Sequence, residues 1–272
     1  MTDRYAVIGH PVAHSKSPWI HAQFARATGQ AMDYVAIEAP RDGFAPAVEA
    51  FRTGGGRGAN VTLPFKEEAW RYSTRLSARA RAARSVNTLK FEAQEIFGDN
   101  TDGAGLVRDL EANLSRSLAG ARILLIGAGG AARGVLLPLL DVAPQRLVVA
   151  NRTASKAESL VAEFAPLDRA ARLAARGFDA LAGEAFDLVI NATSAGLTGE
   201  ALPLPASVFG RGALAYDMVY GRDTAFIALA RSTGVAAQDG LGMLVEQAAE
   251  SFRLWRGVRP QTAPVLAALR AR

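Results

Sequence analysis

A short apolar strand followed by a glycine turn and a helix, at residues 123–132, constrains the fold more than any other segment. The apolar run Ile123–Ile126 predicts a strand buried on both faces. Gly127, Gly129 and Ala132 follow at the G-x-G-x-x-A spacing, and a helix is predicted directly after the turn. The free amides and positive helix end of such a turn hold a pyrophosphate. The segment therefore predicts a dinucleotide-binding α/β domain.

The residues after the next predicted strand bear on which dinucleotide binds. That strand is followed by Asn151-Arg152-Thr153-Ala154-Ser155-Lys156. An NAD enzyme usually places a carboxylate here, which accepts from the ribose 2′-hydroxyl and would repel a 2′-phosphate. Arg152 can instead donate two hydrogen bonds to a phosphate, and Lys156 follows one helical turn later. We therefore expect NADP(H). The alternatives are an Arg152 that points into solvent and a glycine turn that binds nothing.

Strand and helix signals alternate through both halves of the chain and predict a mainly parallel α/β architecture. Strands are predicted at residues 4–8, 32–39, 59–62, 123–126, 146–150, 186–190 and 213–217. Helices are predicted at residues 18–29 with Ser17 as N-cap, 42–53, from 64, 102–117, 130–140, 154–164, 224–232, 241–255 and 263–270. Residues 165–182 receive no assignment. The two α/β blocks are expected to be separate lobes, and the C-terminal helices to return to the first.

Composition and charge exclude several classes of protein. The chain has no cysteine, so disulfides, thiolate metal sites and thiol nucleophiles are excluded. No apolar run reaches the roughly 20 residues that span a bilayer. No signal peptide is recognisable, so cytoplasm is the default expectation. The net charge of +5 favours anionic ligands. Arg75, Arg79, Arg81 and Arg84 lack interleaved aromatic residues, which favours a solvated helix face over a nucleic-acid patch.

The first half of the chain carries four polar clusters at predicted strand ends, where ligands of α/β sheets bind. They are Gly9–Pro18, Asn60–Lys66, Ser85–Thr88 and Gly98–Gly103. Their hydroxyls, amides, amines and carboxylates suit a small polyhydroxylated molecule. His10 and His14 are four residues apart, but Pro11 lies between them and no third ligand cluster is evident, so no metal site is expected. Either histidine remains an alternative proton donor.

These clusters resemble segments of the shikimate dehydrogenase family in order and spacing, over residues 5 to about 255. The resemblance extends to Gly127–Arg133, Asn151–Lys156, Asn191–Gly196, Tyr216–Tyr220 and Asp239–Val245. It implies an open α/β substrate-binding domain of residues 1–104 with 241–272, and a Rossmann-like NADP-binding domain of residues 105–240. It also implies the NADPH-dependent reduction of 3-dehydroshikimate to shikimate in aromatic amino acid biosynthesis. The partner is then a small-molecule substrate, without nucleic acid or membrane, and the protein a monomer or homodimer.

The resemblance also implies roles for individual residues. Lys66 matches the catalytic lysine, with Asp102 beside it. The positions that match substrate-binding residues are Ser15 and Ser17 for the carboxylate, Asn60, Thr62, Asn87, Asp102 and Gln247 for the ring hydroxyls, and Tyr220. The positions that match cofactor contacts are Gly127, Ala128, Gly129, Gly130, Ala131, Asn151, Arg152, Thr153, Ala154, Ser155, Lys156, Thr193, Met218 and Gly240. Ala78 departs from family members that carry an acidic residue near this position.

Reduction of a ketone needs a hydride on carbon and a proton on oxygen. Lys66 is the expected proton donor, with Asp102 orienting its amine. Burial would lower the pKa of this lysine and the carboxylate would raise it, and the sequence leaves the balance open. The alternative for Lys66 is a surface lysine beside Glu67 and Glu68. Alternatives for the whole chain are a quinate/shikimate dehydrogenase of broader substrate and cofactor range, a methylenetetrahydrofolate dehydrogenase, and a non-catalytic dinucleotide-sensing protein.

Overall fold

The computed structural model describes residues 2–195 and 200–272, so Gly196, the last residue of one motif above, lies outside the described residues. The chain divides into two compact units. The first unit comprises the residues up to Gly105 together with Leu244–Arg272, and the second unit is Leu106–Met243. Each unit contains its own six-stranded sheet.

The described residues form strands and helices in alternation. The strands are β1 (Asp3–Gly9), β2 (Met32–Glu38), β3 (Gly56–Val61), β4 (Arg75–Leu76), β5 (Thr88–Phe91), β6 (Ile96–Asp99), β7 (Arg122–Ile126), β8 (Arg146–Asn151), β9 (Leu173–Gly177), β10 (Phe186–Asn191), β11 (Phe209–Asp217) and β12 (Ala236–Asp239). The α-helices are α1 (Ser17–Thr28), α2 (Phe44–Thr53), α3 (Lys66–Tyr72), α4 (Ala78–Ala83), α5 (Asp102–Arg108), α6 (Gly130–Asp141), α7 (Ala154–Phe164), α8 (Ala225–Ser232), α9 (Leu241–Arg256) and α10 (Ala263–Arg270). None of these helices has the length and apolar character needed to cross a bilayer.

The sheet of the first unit has the order β2-β1-β3-β5-β6-β4. Strand β1 pairs in parallel with β2 and β3, and β4 pairs in parallel with β6. Strand β5 runs antiparallel to β3 and β6, so the sheet is mixed. The sequence pattern predicts no strand between residues 75 and 99, because β4, β5 and β6 are too short to show a periodic signal. Helices pack on this sheet over a core that includes Ile8, Phe44, Val61 and Phe65.

The sheet of the second unit is parallel throughout and has the order β12-β11-β10-β7-β8-β9. Its central strands β7 and β8 are apolar runs that are buried on both faces, as predicted for β7. The strand order reverses between β7 and β10, because β8 and β9 follow on one side of β7 and β10, β11 and β12 follow on the other. A doubly wound sheet binds nucleotides at such a point. The edge strands β9 and β12 were not predicted. Both are only half-buried and lack a strong apolar pattern.

Several predicted helix boundaries are wrong, and the helices predicted to begin at residues 42 and 64 begin at Phe44 and Lys66. Ser17 is the first residue of α1, and the N-cap is Lys16, so Ser17 does not cap this helix. The helix predicted to run from residue 102 to 117 is α-helical only to Arg108 and continues as one π-helical turn over Asp109–Asn113. Within that turn the Asn113 side chain donates a hydrogen bond to the Asp109 carboxylate at 2.9 Å.

A buried charge network joins α4, β6 and α9, and it corrects the interpretation of Arg79 as part of a solvated face. Arg79 donates to both carboxylate oxygens of Asp99, at 2.8 and 2.6 Å, and to Glu250 at 3.0 Å. Glu250 also accepts from Arg253 at 2.8 Å and from Arg259 at 2.9 Å. The side chains of Asp99 and Glu250 are only 5% and 9% exposed. The network therefore ties helix α9 to the sheet of the first unit.

Glu250 is expected to make the stability of the protein sensitive to acid. Burial alone would raise its pKa, but the hydrogen bonds and charges of Arg253 and Arg79 lower the pKa from the ordinary 4.5 to about 2. A folded-state pKa below the unfolded one means that the charge stabilises the fold above pH 4.5. This contribution is lost as the pH falls from 4.5 toward 2.

We expect Glu250→Gln to lower the free energy of unfolding by roughly 3 kcal/mol at neutral pH, because it removes one partner of a buried ion pair. The difference from wild type should shrink at about pH 3. Urea denaturation at the two pH values measures both effects. The matched control is Glu67→Gln, which removes an exposed ion pair with Arg71 in the same unit and should cost under about 1 kcal/mol. Equal losses in the two variants would contradict the prediction.

Candidate active site

Lys66 and Asp102 form the central contact of the polar cluster in the first unit. Lys66 begins α3, directly after the turn that follows β3, and Asp102 begins α5. The Lys66 Nζ donates a hydrogen bond to Asp102 Oδ2 at 2.6 Å. The two side chains are 29% and 15% exposed, so both are partly buried and remain accessible to a ligand. The structure therefore brings together the two residues that were predicted to be catalytic.

Asn87 holds the second oxygen of the Asp102 carboxylate. Its Nδ2 donates to Asp102 Oδ1 at 2.7 Å, and it lies 3.0 Å from Thr101 Oγ1 and 3.2 Å from Gln247 Oε1. Gly105 permits this arrangement, because a Cβ at that position would lie 2.6 Å from the backbone nitrogen of Gln247 on α9. Both carboxylate oxygens of Asp102 are consequently held, which leaves the group little freedom to rotate.

Asn60 lies in a buried hydrogen-bond network that includes residues missed by sequence reasoning. Its Nδ2 lies 3.1 Å from the carbonyl oxygen of Asn87, 3.1 Å from Thr88 Oγ1 and 2.9 Å from Ser251 Oγ. The hydroxyls of Thr88 and Ser251 are 2.8 Å apart. A signal for both was available, since Thr88 adjoins Asn87, and Ser251 lies one turn after Gln247 on the same face of α9.

The serines predicted to bind a carboxylate lie after β1. The Oγ of Ser15 accepts a hydrogen bond from the backbone N–H of Ser17 at 3.2 Å. This bond joins the two serines to each other and does not connect them to Lys66 or Asp102. Thr62 follows β3, the parallel neighbour of β1, so both loops leave the same edge of the sheet. Gly9 allows their close approach, because a Cβ there would lie 2.4 Å from the Thr62 Cγ2.

The histidine alternative receives no support from the contacts of His10. Its Nδ1 lies 3.5 Å from the carboxylate of Glu38 on β2. Among residues 2–195 and 200–272, no group of three or more His, Cys, Asp or Glu side chains is arranged to hold a metal ion.

The glycine turn between β7 and α6 has the backbone that a nucleotide phosphate needs. Gly127 has φ +110°, and a Cβ there would lie 3.2 Å from the Ala192 carbonyl. Over the described residues, nothing lies within 4 Å of a Cβ built at Gly129 or Gly130. This open space lies before the N-terminus of a 12-residue helix whose N-cap, Gly129, offers no side chain. Uncapped amides and the positive helix end fit a pyrophosphate.

A cavity of about 250 Å³ lies beside the residues that follow β8. Its lining includes Asn151, Arg152, Thr153, Lys156, Thr193 and Glu200. Arg152 is 60% exposed and donates a hydrogen bond to Glu200 at 2.6 Å, so it lines the cavity as part of an ion pair. Arg152 and Lys156 bring two positive charges against one carboxylate. The residues present therefore fit the 2′-phosphate of NADP.

The other predicted cofactor residues lie in the second unit, and so does Tyr220, which was predicted to contact the substrate. Thr193 donates its N–H and hydroxyl to the Asn191 side chain, at 3.1 and 2.7 Å, which shapes the loop after β10. Gly240 allows close contact with Met218, since a Cβ there would lie 2.4 Å from the Met218 oxygen. Tyr220 follows β11, and burial raises the pKa of its phenol. Residues 128–131 and 153–156 lie at the first turns of α6 and α7 and are at least partly exposed.

Comparison with known proteins identifies the family. Models for a shikimate dehydrogenase substrate binding domain, a shikimate/quinate 5-dehydrogenase and a shikimate 5′-dehydrogenase C-terminal domain match residues 7–89, 109–198 and 240–270. A shikimate dehydrogenase (NADP⁺) from Methylobacillus flagellatus is 60% identical over 270 residues, which cover 99% of each chain. The chain belongs to the shikimate dehydrogenase family.

Solved structures of similar proteins agree with this shikimate dehydrogenase fold. An Ael1 enzyme from Pseudomonas putida superposes with a TM-score of 0.93 at 51% identity and covers 98% of both chains. Shikimate 5-dehydrogenase from Thermus thermophilus, in complex with NADP(H) and shikimate, superposes with a TM-score of 0.87 at 35% identity and covers 99% of both chains. The likeness therefore spans both units of this shikimate dehydrogenase family member.

We expect Arg152→Asp to shift the cofactor preference of this shikimate dehydrogenase family member from NADP⁺ toward NAD⁺. The new carboxylate repels a 2′-phosphate and can accept from a ribose 2′-hydroxyl, so the ratio of kcat/KM for NADP⁺ over NAD⁺ should fall about 10- to 100-fold. Steady-state assays with both cofactors measure the ratio.

The matched control for this test is Arg231→Asp, which removes an exposed ion pair with Asp223 in the same unit. Its cofactor ratio should stay at the wild-type value. A ratio that is unchanged in Arg152→Asp, or lowered equally in both variants, would contradict the assignment of Arg152.

Proposed function

We propose that this protein catalyses the reversible NADPH-dependent reduction of the ring ketone of 3-dehydroshikimate to shikimate, in aromatic amino acid biosynthesis. The observation that carries the proposal is the 2.6 Å contact between Lys66 and Asp102 within a cluster of amides and hydroxyls. The relative at 60% identity, named shikimate dehydrogenase (NADP⁺), supports the same reaction. We assign the substrate site to residues of the first unit together with Tyr220, and the NADP site to residues of the second unit.

The proposed substrate is a cyclic carboxylate with several hydroxyls. Ser15 and Ser17 would bind its carboxylate with hydroxyl and amide donors. The proposed partners of its ring hydroxyls are Asn60, Thr62, Asn87, Asp102 and Gln247, and Tyr220 is proposed as a further contact. The pairing of Asn87 with both Asp102 and Gln247 supports this grouping, because three of these side chains share one hydrogen-bond network.

The proton chemistry is assigned to Lys66. NADPH, when bound, supplies the hydride that is added to the carbonyl carbon. The carbonyl oxygen needs a proton at the same time, and a positioned ammonium can donate it. One N–H of the Lys66 ammonium is held by Asp102, which leaves two further N–H bonds for a substrate oxygen. In the reverse direction the neutral amine takes the proton of the substrate hydroxyl.

The residues that we propose to bind NADP all belong to the second unit. The amides of Gly127–Ala131 would hold the pyrophosphate at the N-terminus of α6. Asn151–Lys156 would hold the adenosine ribose and its 2′-phosphate, with Arg152 and Lys156 as the cations. Thr193, Met218 and Gly240 are proposed as the remaining contacts. The open space at Gly129 and the cavity beside Arg152 support these assignments.

A panel of two substrates and two cofactors tests the proposal. Purified protein is mixed with shikimate or quinate and with NADP⁺ or NAD⁺, and reduced cofactor is followed by absorbance. We expect rapid turnover with shikimate and NADP⁺. Comparable turnover of quinate would favour the broader quinate/shikimate dehydrogenase instead. No turnover in any combination would contradict the proposal and favour a dinucleotide-sensing protein.

We expect Lys66→Ala to lower kcat for shikimate about 10²- to 10⁴-fold, because the proton-transfer group is lost. Steady-state kinetics measure kcat and KM separately. The matched control is Lys90→Ala, a lysine of the same unit that pairs with Glu92 at 3.1 Å, and its kcat should stay at the wild-type value. A raised KM with unchanged kcat would show that Lys66 only binds the substrate.

Location and assembly are also part of the proposal. We assign the protein to the cytoplasm and expect a monomer or a homodimer. Cell fractionation tests the first assignment, and light scattering of the purified protein tests the second.

A further inference from the structure

Tyr34 on β2 contacts Asn60, one of the residues that are proposed to bind the substrate. Its hydroxyl donates a hydrogen bond to Asn60 Oδ1 at 2.8 Å. The fully buried His21 ring stacks on the Tyr34 ring, with centroids 4.2 Å apart and planes at 7°. The Trp255 ring is also close, with its centroid 6.2 Å from that of Tyr34. The phenol is therefore held in one position by aromatic neighbours.

The direction of the bond between Tyr34 and Asn60 is fixed by the chemistry of their neighbours. The Nδ2 of Asn60 faces the carbonyl oxygen of Asn87, which can only accept. The Oδ1 must then face the phenol, which must donate. Burial around the hydroxyl raises the pKa of Tyr34 well above its ordinary value, against an opposing contact with Ser17. The phenol consequently stays protonated and remains a donor.

This arrangement limits what Asn60 can offer a ligand. Its Nδ2 has two hydrogens and already lies within 3.1 Å of three acceptors. Its Oδ1 has two lone pairs, of which Tyr34 occupies one. The remaining lone pair is an acceptor, so Asn60 is matched to a ligand hydroxyl that donates a hydrogen bond.

Tyr34 also connects Asn60 to the serine side of the cluster. Ser17 and His21 are four residues apart on α1 and therefore lie on one face of that helix. The His21 ring stacks on the Tyr34 ring, and the Ser17 side chain acts to lower the pKa of the phenol. The phenol thus lies beside residues of α1 and β3 that are proposed to bind different parts of the substrate.

We propose that Tyr34 is a positioning residue of the substrate site, which fixes the Asn60 amide so that its oxygen accepts from a ring hydroxyl of the substrate. The proposal rests on the proposed function, because it takes a hydroxylated ring as the ligand. Tyr34 itself acts through Asn60 and need not touch the substrate.

The first test is Tyr34→Phe, which removes only the hydroxyl and keeps the stacking with His21. We expect the KM for shikimate to rise about tenfold, the equivalent of one lost hydrogen bond. The values of kcat and of the KM for NADP⁺ should stay within about twofold of wild type. The matched control is Tyr72→Phe in the same unit, which loses a hydrogen bond to Glu49 of 3.0 Å and should keep all three constants.

A double-mutant cycle distinguishes positioning from a general disturbance. If Tyr34 acts through Asn60, the double variant Tyr34→Phe/Asn60→Ala should have the same KM for shikimate as Asn60→Ala alone. If the KM of the double variant instead exceeds that of Asn60→Ala by the factor seen in Tyr34→Phe alone, the proposal is overturned. An unchanged KM in Tyr34→Phe, or parallel losses in kcat and both KM values, would also overturn it. A wild-type protein without shikimate turnover would overturn the proposed function as well, and that result is visible before any variant is made.

Discussion

The first unit depends on the requirement that buried polar groups have hydrogen-bond partners. Asn60, Asn87, Thr88, Thr101 and Ser251 are all buried, and each lost partner would cost roughly 1–3 kcal/mol. The fold meets this requirement by bonding them to one another across β3, β5, α5 and α9. The network stabilises the unit and at the same time holds side chains whose remaining donors and acceptors are available to a ligand.

Two carboxylates of the first unit are likewise held by partners from several different elements. Asp99 is held by Arg79, and Asp102, three residues later, is held by Lys66 and Asn87. The short segment between the two carboxylates is therefore anchored at both ends. Because the anchors come from α4, α3 and the turn before β5, the position of the Lys66 amine is set by most of the first unit rather than by its own helix.

The sequence predicted best the elements whose residues are buried on both faces or follow a helical period. Helix α7 begins and ends where it was predicted, and the core strand β7 differs by one residue. The half-buried edge strands β9 and β12 and the short strands β4 to β6 were missed, since local patterning is weak where only one face or a few residues are buried.

The site was predictable only in part. Lys66 and Asp102 are 36 residues apart, and no periodicity connects them, so their pairing came from family resemblance. Thr88 and Thr101 were recognised only as members of polar clusters and Ser251 was missed, because the role of each depends on contacts between distant elements. Arg79 was misinterpreted as solvated for the same reason, since its partner Glu250 lies 171 residues away. Local patterns identify surfaces and helices, whereas such pairings exist only in the folded chain.

The glycines at positions 9 and 105 have a consequence for how mutational data on this protein are interpreted. A methyl group at Gly9 would collide with Thr62, and one at Gly105 with the α9 backbone at Gln247. Neither glycine offers a side chain to any ligand. A deep substitution scan should therefore find intolerant positions that mark backbone spacing and not chemistry. Their intolerance would reflect where two chain segments must nearly touch.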